Sequence, residues 1–80
     1  MKAQTIKHVL SERELLALLN WELAAYEECS GCRFTALESG ADGGWSDARL
    51  EADHQIDPTE QGITRRIVVE TRRAFELAPR

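Results

Sequence analysis

Lysine is almost missing from this chain, with two residues against eight arginines. A GC-rich bacterial genome imposes that bias without any functional demand, so arginine number alone carries no meaning. Cysteine is also scarce. Cys29 and Cys32 are the only two, which excludes a disulfide-dense secreted scaffold. No apolar run approaches the roughly 20 residues that a membrane-spanning helix needs. Residues 1–8 have no hydrophobic stretch of secretory-leader length. The expectation is a cytoplasmic protein with no membrane partner, in which a structural disulfide would not persist. A phosphate-cradling glycine loop is missing too, because Gly40, Gly43 and Gly44 precede a strand pattern and not a helix start.

What is present suits one small domain, residues 1–80. Apolar residues make up 42% and charged residues 30%, a balance too apolar for disorder. A chain of this length buries only about 60–65% of its unfolded surface, so a protein partner or self-association is expected. The net charge of −4 argues against nucleic-acid binding over the whole surface, which requires neutralising phosphates.

Two helices announce their starts. Ser11 followed by Glu14 is a capping box, with Leu10 and Leu15 at the positions of a hydrophobic staple. Residues 12–28 contain neither Gly nor Pro, and Gly31 suits a left-handed turn, so the pattern predicts a helix over 11–29. Leu15, Leu16, Leu19, Leu23 and Tyr26 form its apolar stripe, flanked by Leu18 and Ala25. Glu22 intrudes on that stripe, where either the stripe edge is exposed or an arginine or the Tyr26 hydroxyl is expected to satisfy it; Trp21 falls on the opposite, polar side. Asp57, Pro58 and Glu60 give the second helix an N-cap, a proline at its first position and a second capping box. It is expected to run to Leu77, before Pro79, with Ile63, Ile67, Thr71, Ala74 and Phe75 inward.

Between the helices, residues 32–39 and 45–56 read as two strands joined by the turn-rich segment 40–44. Ala48, Leu50, Ala52, His54 and Ile56 alternate with polar residues along the second. Pairing Phe34 with Leu50 puts Cys32, Phe34, Ala36, Ala48, Leu50 and Ala52 on one face and sets Arg33 opposite Glu51. Residues 5–10 offer a further short strand, with Ile6, His8 and Leu10 inward. The fold class is therefore α+β, ordered α-β-β-α or β-α-β-β-α, with two helices on one face of a small antiparallel sheet.

Three features bear on function. Cys29 and Cys32, with His54 and at longer reach His8, have ligand types and spacing for zinc, although a structural zinc site normally takes four ligands. The pair ends a helix, where the dipole disfavours a thiolate, so redox chemistry of the thioredoxin kind is not indicated. Plain packing and helix termination are the favoured reading of both cysteines, and no metal is expected. The second feature is the set Arg65, Arg66, Arg72 and Arg73, repeated after seven residues, close to two helical turns, with Val69 in the middle. An apolar residue ringed by arginines fits a protein contact better than a solvated face. Trp21 is the third, because tryptophan concentrates binding energy at interfaces.

The reading these features support is a non-enzymatic protein-interaction module that needs no cofactor. Its contact residues are Trp21, Arg65, Arg66, Val69, Arg72 and Arg73. A metal-binding or redox protein using Cys29 and Cys32 is the alternative. Weak nucleic-acid binding through the arginine face comes third.

Overall fold

The computed structural model describes residues 8–40 and 44–78. Along the chain run β1 (His8–Leu10), α1 (Glu12–Leu23), a 3-10 turn (Glu27–Cys29), β2 (Cys32–Ser39), β3 (Trp45–Ala52), α2 (Pro58–Ala74) and β4 (Phe75–Leu77). The architecture is α+β, with α1 and α2 packed on each other and against the β2–β3 hairpin. Leu15, Leu19 and Leu23 of α1 meet Cys29, Phe34, Trp45, Ile67 and Val68 in one core. No helix among the described residues is long and apolar enough to cross a membrane.

The expected first strand exists, but it does not extend the hairpin. β1 pairs in parallel with β4, His8 opposite Phe75 and Leu10 opposite Leu77, so the described strands form two two-stranded sheets. Residues 5–7 of the expected strand, including Ile6, lie outside the described residues. His8 is exposed and stacks obliquely on Phe75 at 5.8 Å between centroids, whereas Leu10 packs on the core.

Both helix starts are as the sequence indicates. In each, the cap side chain accepts the backbone N–H of the third helical residue, and the glutamate there accepts the cap's own N–H. Both helix ends fall earlier than expected. α1 stops at Leu23, and Tyr26 is extended before the 3-10 turn begins. Continuing the helix would have placed Glu27 and Glu28 at its negative C-terminal pole. Breaking it puts both in the first turn of the following 3-10 segment, the favourable pole. α2 stops at Ala74, where Phe75 turns extended and joins β1.

The register is the expected one at Cys32–Ala52, Arg33–Glu51 and Phe34–Leu50. Beyond Phe34 it departs. Thr35 is an extra residue, so Ala36 faces Arg49 and Leu37 faces Ala48. Leu37 therefore continues the inner face in place of Ala36. Asn20 holds this point: its Nδ2 donates to the Phe34 carbonyl at 2.9 Å and its Oδ1 accepts the Phe34 N–H at 2.7 Å.

β3 ends at Ala52 and not at residue 56, so His54 and Ile56 are exposed and not part of the inner face. The Asp53 N–H is still held by the Gly31 carbonyl at 3.2 Å. The chain then bends away to reach the Asp57 cap. Gly31 has φ of +87°, a conformation that requires glycine, and a Cβ there would displace the Asp53 carboxylate.

α2 also turns a partly different face inward. Glu60, Thr64, Ile67, Val68 and Thr71 are buried, while Ile63 is half-buried and Ala74 exposed. Ile67 and Thr71 face inward as expected, whereas Glu60 and Thr64 replace Ala74 there, and the buried polar groups are satisfied internally. Thr64 Oγ1 donates to the Glu60 carbonyl at 3.0 Å, and Thr71 Oγ1 donates to Glu22 Oε2 at 2.8 Å. Thr71, not an arginine or Tyr26, thus partners the glutamate inside the leucine stripe. Trp45 is buried, and its Nε1 donates to the Phe75 carbonyl at 3.3 Å, fastening the hairpin to the α2–β4 junction.

Candidate functional site

Two depressions flank α2. The first, about 410 Å³, lies between α2 and the hairpin, with Phe34, Leu50, Ile56 and Val68 in its walls. Val69, 43% exposed, stands on its α2 side with Arg65 and Arg72. Arg66 and Arg73 are exposed but do not line this groove, since adjacent helical residues point about 100° apart. The four arginines therefore form two flanks and not one stripe. Arg72 is partly committed, its Nε donating to the Trp45 carbonyl at 3.2 Å. The second depression, about 460 Å³, runs between α1 and α2 and is lined by Trp21, Glu22, Tyr26, Ile67 and Glu70. Trp21 is 75% exposed there. The first depression has two arginines beside an apolar floor, and the second has the Glu22 and Glu70 carboxylates beside a projecting aromatic ring.

A second group of residues converges where β2, the bend after β3 and the first turn of α2 meet. The Asp57–Glu60 capping box uses only one carboxylate oxygen of Glu60, Oε1, which accepts the Asp57 N–H at 3.1 Å. The other, Oε2, accepts the Cys32 S–H at 3.1 Å and lies 2.5 Å from His54 Nε2. Cys32 Sγ and His54 Nε2 are 4.0 Å apart, and His54 Nδ1 is 2.6 Å from Asp53 Oδ1. Glu60 is buried, with 3% exposure, and the His54 side chain is 38% exposed.

The electrostatics follow from this geometry. The Asp57 backbone N–H, aided by Cys32 and His54, pulls the Glu60 carboxyl down to about 2. Burial, reinforced by Glu60, pushes the Cys32 thiol up to about 11. Asp53 first and Glu60 second raise His54, since a carboxylate on each ring nitrogen favours the imidazolium. Burial raises the Cys29 thiol as well. A thiol held protonated beside a carboxylate is a poor nucleophile.

Cys32, His54 and Glu60 each offer one ligand atom, and these atoms lie within 4.8 Å of one another. Of the residues that the sequence suggested for a metal, Cys32 and His54 come together. Cys29 is buried in the core and outside this group, and His8 packs on Phe75 elsewhere. The sequence reading missed Glu60 and Asp53. Glu60 was accounted for by its cap, although a cap occupies one of two oxygens. Asp53 was assigned to the solvent face of a strand that ends one residue before it.

Comparison with protein-family models, with curated proteins and with solved structures gives no match. Function is therefore argued from the geometry of these surfaces and this cluster.

Proposed function

We propose that the chain is a non-enzymatic interaction module that assembles head to tail. In this reading the acidic flank of one copy, with Trp21 projecting, seats in the Arg65–Val69–Arg72 groove of the next. The observation that carries it is the pairing of a 75% exposed tryptophan on one side of α2 with an apolar-floored groove on the other. Charge supports the direction of docking. Residues 1–56 carry ten acids and five bases, whereas residues 57–80 carry four acids and five bases. Arginine forks suit the carboxylates of Glu22 and Glu70, and a tryptophan entering an apolar groove supplies the anchoring contact. The contact joins two different surfaces, so it is heterologous and leaves each surface available to one neighbour.

Sedimentation of single and mixed variants tests this. Wild-type protein is expected to exceed monomer mass in a concentration-dependent way and to dissociate as salt rises. Trp21→Glu and Val69→Glu should each be monomeric, because each lacks one of the two surfaces. Their equimolar mixture should recover a 1:1 dimer through the surfaces that remain intact. A wild type that stays monomeric up to about 1 mM, or a mixture that does not pair, overturns the reading.

A further inference from the structure

We infer that Cys32, His54 and Glu60 form a binding site for a zinc-class divalent cation, with Asp53 orienting the imidazole from behind. The site is separate from the two docking surfaces and does not depend on them.

The donors come from three parts of the fold. Cys32 opens β2, His54 lies in the bend after β3, and Glu60 is in the first turn of α2. Their convergence is a product of tertiary structure and not of a local run of polar residues. The donor set is one sulfur, one imidazole nitrogen and one carboxylate oxygen, the three ligand types that zinc combines. A thiol and an imidazole suit magnesium or calcium poorly, since those ions take oxygen ligands.

The dimensions fit. Bonds of about 2.3 Å to sulfur and about 2.0–2.1 Å to nitrogen and oxygen place tetrahedral donor pairs roughly 3.3–3.6 Å apart. The three edges here measure 4.0 Å for sulfur to nitrogen, 3.1 Å for sulfur to oxygen and 2.5 Å for nitrogen to oxygen. The two sulfur edges lie within about 0.5 Å of that range, and the nitrogen–oxygen edge must open by roughly 0.8 Å, which rotation of the partly exposed His54 ring can supply. Each ligand is also steered from outside. Asp53 Oδ1 accepts a hydrogen bond from the Nδ1–H of His54, leaving Nε2 to face the other donors. The Asp57 N–H fixes Glu60 by Oε1 and leaves Oε2 free to turn. Gly31 in turn makes room for Asp53, since any Cβ at that position would displace its carboxylate.

Binding exchanges protons for the ion. The Cys32 S–H proton leaves to generate the thiolate ligand, and the proton between His54 Nε2 and Glu60 Oε2 leaves to free both donors. Two protons are thus replaced by one dication, and the net charge of the cluster is unchanged. No electron moves. Three protein ligands leave a fourth position for water or an outside ligand.

Cobalt(II), which substitutes for zinc and reports sulfur ligation in its spectrum, is the test. Titrated into the full chain after chelator treatment, it should bind 1:1, release about two protons per ion and give a thiolate-to-cobalt charge-transfer absorption that zinc then abolishes. Cys32→Ser should lose that absorption and Cys29→Ser should keep it, with circular dichroism confirming that both are folded. His54→Ala, checked for folding in the same way, should weaken binding at least tenfold. Asp53→Asn should weaken it by roughly 10–100-fold while keeping the absorption. Trp21→Glu should bind as wild type does. Absence of stoichiometric binding, or a charge-transfer band that survives Cys32→Ser, overturns the assignment. So does loss of binding in Trp21→Glu, which would put the ion between copies.

Discussion

The two helix starts carry the same device and use it differently. At α1, Glu14 returns to the Ser11 N–H at 3.0 Å and stands exposed. At α2, Glu60 returns to the Asp57 N–H at 3.1 Å, yet it is buried and its second oxygen serves Cys32 and His54. A capping box is a local contract among four residues. What the rest of a carboxylate does depends on what the fold brings to it. Glu14 caps a helix, and Glu60 caps a helix while holding three segments of the chain together.

The comparison can be broken most forcefully at Gly31. Gly31→Ala forces a side chain into left-handed backbone, which costs about 1–2 kcal/mol, and it also displaces Asp53 from His54. Urea unfolding should show a loss of about 2 kcal/mol or more, with α1 and its cap unaffected as read by amide exchange. Next in size is the glutamate pair. Glu60→Gln should lower the unfolding midpoint at least twice as much as Glu14→Gln, because only Glu60 is itself buried and also serves Cys32 and His54. Equal effects would mean that the second oxygen contributes nothing.

The pH response separates the two starts further, measured in chelator so that no metal intervenes. Both carboxyls are lowered, Glu14 chiefly by the Ser11 backbone N–H and Glu60, to about 2, chiefly by that of Asp57. A lowered carboxyl contributes stability above its ordinary value of 4.5 and loses it as pH falls through the folded value. His54 is raised, so its contribution is complete below its ordinary 6.5 and is lost as pH rises through the folded value. The stability gap between wild type and Glu60→Gln should therefore be widest between about 4.5 and 6.5 and narrow on both sides. The gap for Glu14→Gln should narrow only on the acid side.

Smaller effects test what the two starts share. Ser11→Ala and Asp57→Ala remove the same kind of cap and should each cost about 1 kcal/mol. Smallest of all is Gly62→Ala. Nothing lies within 4 Å of where its Cβ would stand, so the expected result is a gain of roughly 0.4–1 kcal/mol in thermal or urea unfolding.

Legibility in the sequence followed the range of the interactions. Ser11, Glu14, Asp57, Pro58 and Glu60 set both helix starts through contacts three residues apart, and both were readable. Side-chain parity and the Arg33–Glu51 pair made the Phe34–Leu50 register readable as well. The bulge at Thr35 was not, because it depends on Asn20 reaching the Phe34 backbone from another element. The helix ends were not, since β4 forms only when β1 is there to pair with it. For the cluster, Cys32 and His54 were visible as residue types. Glu60 and Asp53 were hidden behind sufficient local explanations.

The sequence by itself determined where the helices begin, which residues can fill a core, and that Val69 stands among arginines on the outer face of α2. Those outcomes rest on backbone donors, period and side-chain chemistry within a few residues. Only the tertiary structure decided that Glu60 turns inward, that the arginines divide between two flanks of α2, and that a thiol, an imidazole and a carboxylate share one corner. Such arrangements depend on distances between residues far apart in the chain, 28 positions in the case of Cys32 and Glu60. Only the packed core fixes distances of that kind.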